Sequence, residues 1–266
     1  MPARLGVRAL SSVAVVLVSV ALVVGPRPLL TVVLIALAAL GAFEMYSLLS
    51  RRGADLPLIP GIVLTVLLVL AAADEGTRLL GLVVFLTFAV PLVWVLRGTP
   101  DVAAVQTWAG ASVGVFYVGW PLAHIALLRF LPEGRSWLIL VFACTWASDT
   151  GAYLVGSVVG RRKLAPSISP GKTVEGALGA VAVTAATAGG VQSLTDLPIA
   201  LPWAVLLGVV MSVAAQLGDL SESYLKRAVG AKDSGHLLPG HGGLLDRIDG
   251  LMWVTVVVYY VAVFVG

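Results

Sequence analysis

Acidic and basic side chains are concentrated near the end of the chain, in the stretch 218-GDLSESYLKRAVGAKDSGHLLPGHGGLLDRIDG-250. Asp219 follows one long apolar run, and Asp246 and Asp249 come shortly before the last one. Because residues three apart share a face of a helix, the last two carboxylates can bind one common object. The alternative is that they only stabilise the start of a helix, where negative charge is favourable.

The residues around these aspartates favour phosphate chemistry over simple helix capping. Glycine lets the backbone approach a phosphate closely, and basic side chains neutralise phosphate oxygens. Mg²⁺ is commonly held by one or two carboxylates together with the phosphates of a substrate. The stretch therefore predicts a site for a divalent metal and a phosphate. The glycines and bases concerned are Gly240, Gly242, Gly243, Lys226, Arg227, Lys232 and Arg247.

A second polar region, 145-TWASDTGAYLVGSVVGRRKLAPSISPGKTVEG-176, lies upstream. Asp149 is near the middle of an apolar run, where an ionised carboxylate costs roughly 2.5–3.5 kcal/mol on membrane-insertion scales. We expect it to line a polar cavity; the alternative is a protonated or hydrogen-bonded acid that holds helices together.

The motif SPGKT within this region is predicted to begin the next helix. Ser169, Lys172 and Thr173 would then lie beside unpaired helix amides, which can bind an anion. The motif is not a Walker A loop, because Pro166 stands where the first glycine is required and no strand is expected before it.

Both regions are embedded in a chain that is 59% hydrophobic and 12% charged. A soluble domain carries roughly 25% charged residues, so the composition indicates an integral membrane protein. Only helices and closed barrels satisfy the backbone in lipid, and runs such as GIVLTVLLVLAAA lack the alternation of a barrel strand. We therefore predict an all-α polytopic membrane protein. The net charge of +3 does not indicate a nucleic-acid partner, since the placement of the bases matters more than their sum.

About nine apolar runs approach the length needed to cross a membrane, roughly 17–25 residues each. With the N-terminus in the cytoplasm, nine crossings put the C-terminus on the opposite side and both polar regions on the cytoplasmic face. Thirteen Lys and Arg residues then lie on the cytoplasmic side and four on the other, which follows the positive-inside rule. Eight or ten spans are the alternative. The runs are residues 9–24, 29–50, 57–73, 79–96, 102–131, 137–159, 174–193, 199–217 and 250–266.

From Ser223 the chain follows the pattern S-x-x-K-R-x4-K-D-x-G-x2-L-P-x-H-G-G-x-x-D-R-x-D without a departure. This order resembles the signature of the phosphatidate cytidylyltransferases, also called CDP-diacylglycerol synthases. The S-D-T-x-A-Y and S-P-x-K-T-x-E-G runs of the second region are similar to that family as well. The resemblance covers roughly residues 137–251. The matching signature positions are Ser223, Lys226, Arg227, Lys232, Asp233, Gly235, Leu238, Pro239, His241, Gly242, Gly243, Asp246, Arg247 and Asp249.

The resemblance implies that CTP reacts with phosphatidate to give CDP-diacylglycerol and pyrophosphate. It also implies contact with membrane lipid and a homodimer. From the compact chain without a targeting extension we expect a bacterial inner-membrane protein. We expect Mg²⁺ to be held by Asp219, Asp246 and Asp249, with room for a second cation.

The remaining site residues are expected to bind substrate. Lys226 and Arg247, which we also count as catalytic, would bind phosphates together with Arg227 and Lys232. The substrate-binding set is completed by His241, Gly242 and Gly243 at the triphosphate, Ser169, Lys172 and Thr173 at the lipid phosphate, and Asp149 and Ser223.

We assign residues 1–136 to packing and to contacts between copies, and residues 137–266 to catalysis. CDP-alcohol phosphotransferases are an alternative, but their pattern D-G-x2-A-R-x8-G-x3-D-x3-D is absent. A transporter with Asp149 as an ion site is another alternative, and it predicts two related halves. The sequence shows no internal repeat.

Overall fold

The computed structural model describes residues 2–53, 55–74, 77–235, 237 and 242–265, with the side chains of residues 2–12 and 52 outside that description. Within those ranges the chain forms nine α-helices, a 3-10 turn at Ser50–Arg52 and two short strands. The helices are α1 Pro2–Val24, α2 Arg27–Leu49, α3 Leu58–Ala73, α4 Leu80–Val95, α5 Val102–Phe130, α6 Gly134–Val159, α7 Val174–Leu194, α8 Leu201–Ala228 and α9 Leu245–Val265.

Six of these helices, α2 and α5 to α9, are long and apolar enough to cross a membrane. Shorter apolar helical segments lie at Val13–Val24 within α1, in α3 and in α4. Long helices are favoured in lipid because every interior N–H and C=O finds its partner within the same segment. The prediction of an all-α polytopic membrane protein is confirmed, while the number of crossings and their orientation stay predictions.

Helix α8 continues to Ala228 instead of ending at residue 217. The additional part is polar, and Glu222 and Lys226 form an ion pair one helical turn apart within it. Such pairs and the good helix formers around them extend the helix beyond its apolar part. A prediction from hydrophobicity alone places the end of this helix too early. Asp219 and Ser223 lie within the helix and not in a loop.

The prediction that SPGKT begins a helix is wrong. Ser169–Thr173 is a strand, β2, which pairs antiparallel with β1, Lys163–Ala165. Pro170 favours an extended conformation at the residue before it, and Gly171 is a poor helix former. Thr173 does contact the helix start: its Oγ1 accepts a hydrogen bond of 3.1 Å from the N–H of Gly176 and so caps α7.

The chain divides into two compact units. Unit 1 comprises Met1–Leu127 and Val229–Arg247. Its core surrounds Tyr46, whose hydroxyl donates a hydrogen bond of 2.6 Å to the carbonyl of Ala111. Gly61 and Gly114 lie against the Tyr46 ring, where an added Cβ would collide with it.

Unit 2 comprises Leu128–Ala228 and Ile248–Gly266. Small residues let its helices pack closely: a Cβ added at Gly208 in α8 would lie 2.7 Å from the side chain of Ala188 in α7. The predicted roles of residues 1–136 and 137–266 concern function and stay predictions.

Candidate functional site

Helices α8 and α9 cross closely at Gly218, and this crossing brings two predicted site residues of unit 2 together. A Cβ added at Gly218 would lie 2.5 Å from the carbonyl oxygen of Asp249 and 3.0 Å from the Trp253 ring. Only glycine permits this approach of a backbone to a neighbouring helix. Because Asp219 follows the glycine directly, Asp219 and Asp249 belong to the same crossing.

Asp249 lies among other charged groups of unit 2. Asp219, Asp149 and Lys172 each act electrostatically on its carboxyl group. Its Oδ1 accepts a hydrogen bond of 2.7 Å from the N–H of Gly250. Carboxylates that interact in this way repel one another when both are charged, and a bound cation would relieve that repulsion.

Lys172 reaches this cluster from the β-hairpin. Its Nζ lies 2.6 Å from Asp219 Oδ2, and the two side chains are 23% and 36% exposed. Asp219 Oδ1 accepts a hydrogen bond of 3.3 Å from Ser223 Oγ, one helical turn further along α8. An ion pair this exposed contributes little to stability. Lys172 can therefore exchange Asp219 for an anion, and Asp219 can exchange Lys172 for a cation.

A cavity of about 540 Å³ contains this ion pair. Its polar lining, contributed by α6, β2 and α8 of unit 2, consists of Asp149, Tyr153, Ser157, Lys172, Thr173, Gln216 and Asp219. Asp149 thus lines a cavity, and the cavity has both a base and acids in its wall. This combination can hold a phosphate and a metal ion together.

Gln216 is fixed in the cavity wall by its amide. Nε2 donates hydrogen bonds of 3.3 Å to the carbonyl of Ala177 and 3.2 Å to Ser212 Oγ. Ser212 Oγ lies 3.2 Å from Ser148 Oγ, directly before Asp149 in the chain. The polar groups deep in this wall are therefore linked between α6, α7 and α8.

The hairpin that carries Lys172 is anchored at both ends. At its base, the Glu175 carboxylate accepts hydrogen bonds from the N–H groups of Arg161 at 2.9 Å and Arg162 at 3.1 Å. At its turn, Arg227 Nε donates a hydrogen bond of 3.3 Å to the carbonyl of Ile168. These contacts limit the movement of the strand, so the lysine is presented from a defined position.

The bases on α8 differ in their surroundings. Lys226 is largely buried in its ion pair with Glu222, which is itself 1% exposed. Arg227 is exposed. Their assigned roles at a phosphate stay predictions. Ser169 lies half-buried in β2, opposite Ala165.

In unit 1 the first turn of α9 places Asp246 against the preceding connector. Asp246 Oδ2 accepts hydrogen bonds from the N–H of Gly243 at 2.8 Å, the N–H of Ser234 at 3.1 Å and the hydroxyl of Ser234 at 3.0 Å. Gly242 has a φ of +82°, a conformation that favours glycine. The backbone amides of Ser234 and of the signature glycine Gly243 therefore meet at this carboxylate.

Of the remaining predicted residues, Lys232 and Arg247 are exposed. His241 and Gly240 lie outside the described residues.

The predicted metal ligands divide between the units, with Asp219 and Asp249 in unit 2 and Asp246 in unit 1. Within the described part of the chain, no group of three or more His, Cys, Asp or Glu side chains is placed to hold a metal ion. The unit 2 aspartates nevertheless fit Mg²⁺, which needs only one or two carboxylates beside water and substrate phosphates. The site of three aspartates stays a prediction.

Gln216, Ser234 and Glu44 are among the polar residues of these clusters that were not assigned to the site from the sequence. Serine and glutamine in a helix or connector give no distinctive sequence signal. Glu44 does give one, since it is a lone carboxylate in an apolar helix, and such residues are usually functional. It is 2% exposed, and its Oε2 accepts a hydrogen bond of 2.9 Å from the N–H of Leu245.

Comparison with known proteins indicates the same family as the signature motifs. The chain is 33% identical over 246 residues to a phosphatidate cytidylyltransferase of Bacillus subtilis (strain 168), with 90% of each chain covered. It is 35% identical over 223 residues to a protein of the same name from Staphylococcus epidermidis (strain ATCC 35984), with 83% of each covered.

A phosphatidate cytidylyltransferase of Brucella suis biovar 1 is 46% identical over 152 residues, which cover 56% of this chain. The chain thus spans about half the length of that relative, 55%. The model of the cytidylyltransferase family matches residues 6–265, well beyond the region of the signature motifs. On this evidence the chain belongs to the cytidylyltransferase family.

Proposed function

We propose that this protein is a phosphatidate cytidylyltransferase, which transfers the CMP group of CTP to phosphatidate and releases pyrophosphate. Family membership and relatives of that name that align over most of their length support the proposal. The observation that carries it is the Lys172–Asp219 ion pair, 2.6 Å long, in a cavity that Asp149 also lines. A base and carboxylates in one cavity suit a reaction between two phosphates beside a metal ion.

In the proposed reaction, a phosphate oxygen of phosphatidate attacks the α-phosphorus of CTP. A bond forms between that oxygen and the α-phosphorus, and the bond from the α-phosphorus to the bridging oxygen breaks. Pyrophosphate leaves with the electron pair. No general base is required, because the phosphate of phosphatidate is already ionised near neutral pH. The work of the protein is therefore to align two anions and neutralise their charge.

Lys172 is the residue that we assign to the lipid phosphate. Its ammonium group already binds a negatively charged partner in the cavity, and a phosphate oxygen can take the place of the Asp219 carboxylate. Thr173 fixes the end of the strand by capping α7. Ser169 lies at the other end of the same strand and is proposed to donate its hydroxyl to the phosphate.

Asp219 and Asp249 would hold Mg²⁺, with Asp246 as the third proposed ligand. When bound, the metal neutralises the charge on the phosphates and so assists the departure of pyrophosphate. Ser223 donates to Asp219 and the Gly250 N–H donates to Asp249. Hydrogen bonds of this kind orient carboxylates for a metal.

The bases of the signature are proposed to bind the phosphates of CTP. Lys232 is exposed in the connector, Arg247 in the first turn of α9 and Arg227 on α8. Arginine is well suited to phosphate because its guanidinium donates two parallel hydrogen bonds. His241 and its neighbouring glycines are assigned to the triphosphate by the family resemblance alone.

The proposed site faces the cytoplasm of a bacterial inner membrane. Bases at the ends of alternate helices, Arg51 after α2, Arg97 after α4 and Arg161 after α6, support this orientation. A homodimer is proposed from the family resemblance. Light scattering of the purified protein in detergent measures this oligomeric state.

The test is incubation of the purified protein with CTP, phosphatidate and Mg²⁺ in mixed micelles, with and without EDTA. We expect CDP-diacylglycerol and pyrophosphate in equal amounts, and neither product with EDTA. Diacylglycerol, which lacks the attacking phosphate, is the matched control and should give no product. Absence of CTP consumption by a normally folded preparation would refute the proposal.

A further inference from the structure

Glu44 is a carboxylate within the apolar helix α2 of unit 1. It is the single charged residue between Arg27 and Arg51, and it is 2% exposed. Burial of a carboxylate is costly unless hydrogen bonds or opposite charges compensate for the lost water. The hydrogen-bond partners of Glu44 therefore show which parts of the chain its carboxylate stabilises.

The carboxylate of Glu44 is hydrogen-bonded to the start of α9 and to a residue within the connector between α8 and α9. Its Oε2 accepts a hydrogen bond of 2.9 Å from the N–H of Leu245, the first residue of α9. The same oxygen accepts a hydrogen bond of 3.3 Å from the hydroxyl of Ser234. The first amides of a helix have no partner within the helix, so Glu44 caps α9 although it lies 201 residues away in the chain.

Glycines of the signature allow this close approach. A Cβ added at Gly235 would lie 2.5 Å from Glu44 Oε1, and one added at Gly243 would lie 2.6 Å from Oε2. The nearest atom to a Cβ at Gly243 would be Ser234 Oγ, so a side chain at either glycine would push Glu44 or Ser234 out of its present position. The absence of side chains at these two positions lets the connector lie directly against the Glu44 carboxylate.

Ser234 links Glu44 to the predicted metal ligand Asp246. Its hydroxyl lies within hydrogen-bond distance of both carboxylates, 3.3 Å from Glu44 and 3.0 Å from Asp246. Its N–H donates to the same oxygen of Asp246, at 3.1 Å. Ser234 is 1% exposed, so water does not compete for these contacts. A displacement of Glu44 would therefore move Ser234 and, through it, Asp246.

We propose that Glu44 is a positioning residue for the cytidylyl transfer. It holds the start of α9 and the connector at Ser234, and so fixes the orientation of Asp246 toward its metal and phosphate. This inference rests on the proposed function for its catalytic consequence, while the anchoring of the connector is independent of it.

The first measurement is the Mg²⁺ concentration that gives half-maximal activity. We expect Glu44→Gln and Glu44→Ala to raise it by about 10- to 100-fold, as is usual for residues that orient metal ligands. Glutamine should have the smaller effect, since it keeps one acceptor for the Leu245 N–H. Ser234→Ala should act through the same contact, so its effect and that of Glu44→Gln should not add in the double variant.

The second measurement reports the connector without any activity. Ala231→Cys places a thiol at a connector position that is 5% exposed, in a background where Cys144, the one native cysteine, is replaced by alanine. We expect Glu44→Ala to raise the rate of maleimide labelling in detergent by about tenfold or more, since loss of a buried charged hydrogen bond favours local opening. Glu44→Gln should give a smaller increase.

Tyr46→Phe is the matched control, because it removes a different buried hydrogen bond from the same helix. It should change neither the Mg²⁺ requirement nor the labelling rate. Labelling at the wild-type rate in both Glu44 variants, or equal acceleration by Tyr46→Phe, would overturn the anchoring role. Faster labelling with an unchanged Mg²⁺ requirement would overturn the positioning role. If the wild-type protein forms no liponucleotide, the proposed function fails, and the labelling rates still decide whether Glu44 anchors the connector.

Discussion

At the scale of single residues, the half-exposed ion pair of Lys172 and Asp219 is the centre of the proposed chemistry. A pair exposed to this degree stabilises a fold by about 0–1 kcal/mol at most, so stability does not explain its presence in a cavity. An exchangeable pair does suit the proposed site, which would bind a lipid phosphate and a metal ion. The buried pair of Glu222 and Lys226 differs, since removal of one partner would leave a buried charge.

We expect Asp219→Asn and Asp249→Asn each to abolish Mg²⁺-dependent pyrophosphate release while the protein inserts normally. The amide keeps the size of the side chain but loses the charge that a metal ion requires. Asp246→Asn should have the same effect. Asp196→Asn is the control, because Asp196 is exposed on the connector at the opposite end of α7 from Lys172. Near-full activity in all three variants would contradict the metal assignment.

Lys172→Gln should raise the KM for phosphatidate by about tenfold or more, the usual loss for a charged hydrogen bond, and leave the KM for CTP nearly unchanged. Lys172→Arg keeps the charge and should recover part of the affinity. Initial rates at varied lipid mole fraction measure both constants. Lys163→Gln is the matched control, since Lys163 is exposed on the paired strand. A larger change in the KM for CTP than for lipid would reassign the lysine.

At the scale of elements, the crossing of α8 and α9 depends on the absence of a side chain at Gly218. Gly218→Ala should separate the two helices, because its Cβ would lie 2.5 Å from a backbone carbonyl that cannot rotate away. Overpacking of this kind costs about 1–3 kcal/mol, and the shift should also remove activity. Thermal unfolding and pyrophosphate release measure the two effects.

Gly190→Ala is the comparison for this variant. Gly190 lies in α7 with no atom within 4 Å of an added Cβ, so alanine should be neutral or stabilise the helix by about 0.5–1 kcal/mol. A Gly218→Ala protein as stable and as active as Gly190→Ala would show that the crossing tolerates a side chain.

At the scale of the whole molecule, the orientation in the membrane is the property to measure. Single cysteines at Lys163 and Asp196, in the Cys144→Ala background, report the two ends of α7. With the N-terminus in the cytoplasm, an impermeant maleimide should label Asp196→Cys in intact cells and Lys163→Cys only after the membrane is opened. The reverse pattern would invert the topology and place the cavity of unit 2 on the outer side.

Hydrophobicity and motif spacing, both local properties, were sufficient for much of this protein. The apolar runs predicted each of the nine helices seen in the described residues, since a helix in lipid satisfies its own backbone. The order of residues from Ser223 to Asp249 was specific enough to indicate the family. Two predictions were wrong, the end of α8 at residue 217 and a helix beginning with the segment Ser169–Thr173. The polar extension of α8 and the β-hairpin depend on ion pairs and strand pairing, which hydropathy does not measure.

The sequence by itself therefore determined the class of fold, the family and the residue types available for chemistry. Only the tertiary structure decided which of them meet. Lys172 pairs with Asp219 across different elements, and Glu44 caps a helix that begins 201 residues later. Such contacts follow from how the helices pack, which is decided by small residues such as Gly218 and Gly243 where backbones and side chains approach. No local pattern records which distant partner a buried carboxylate will find.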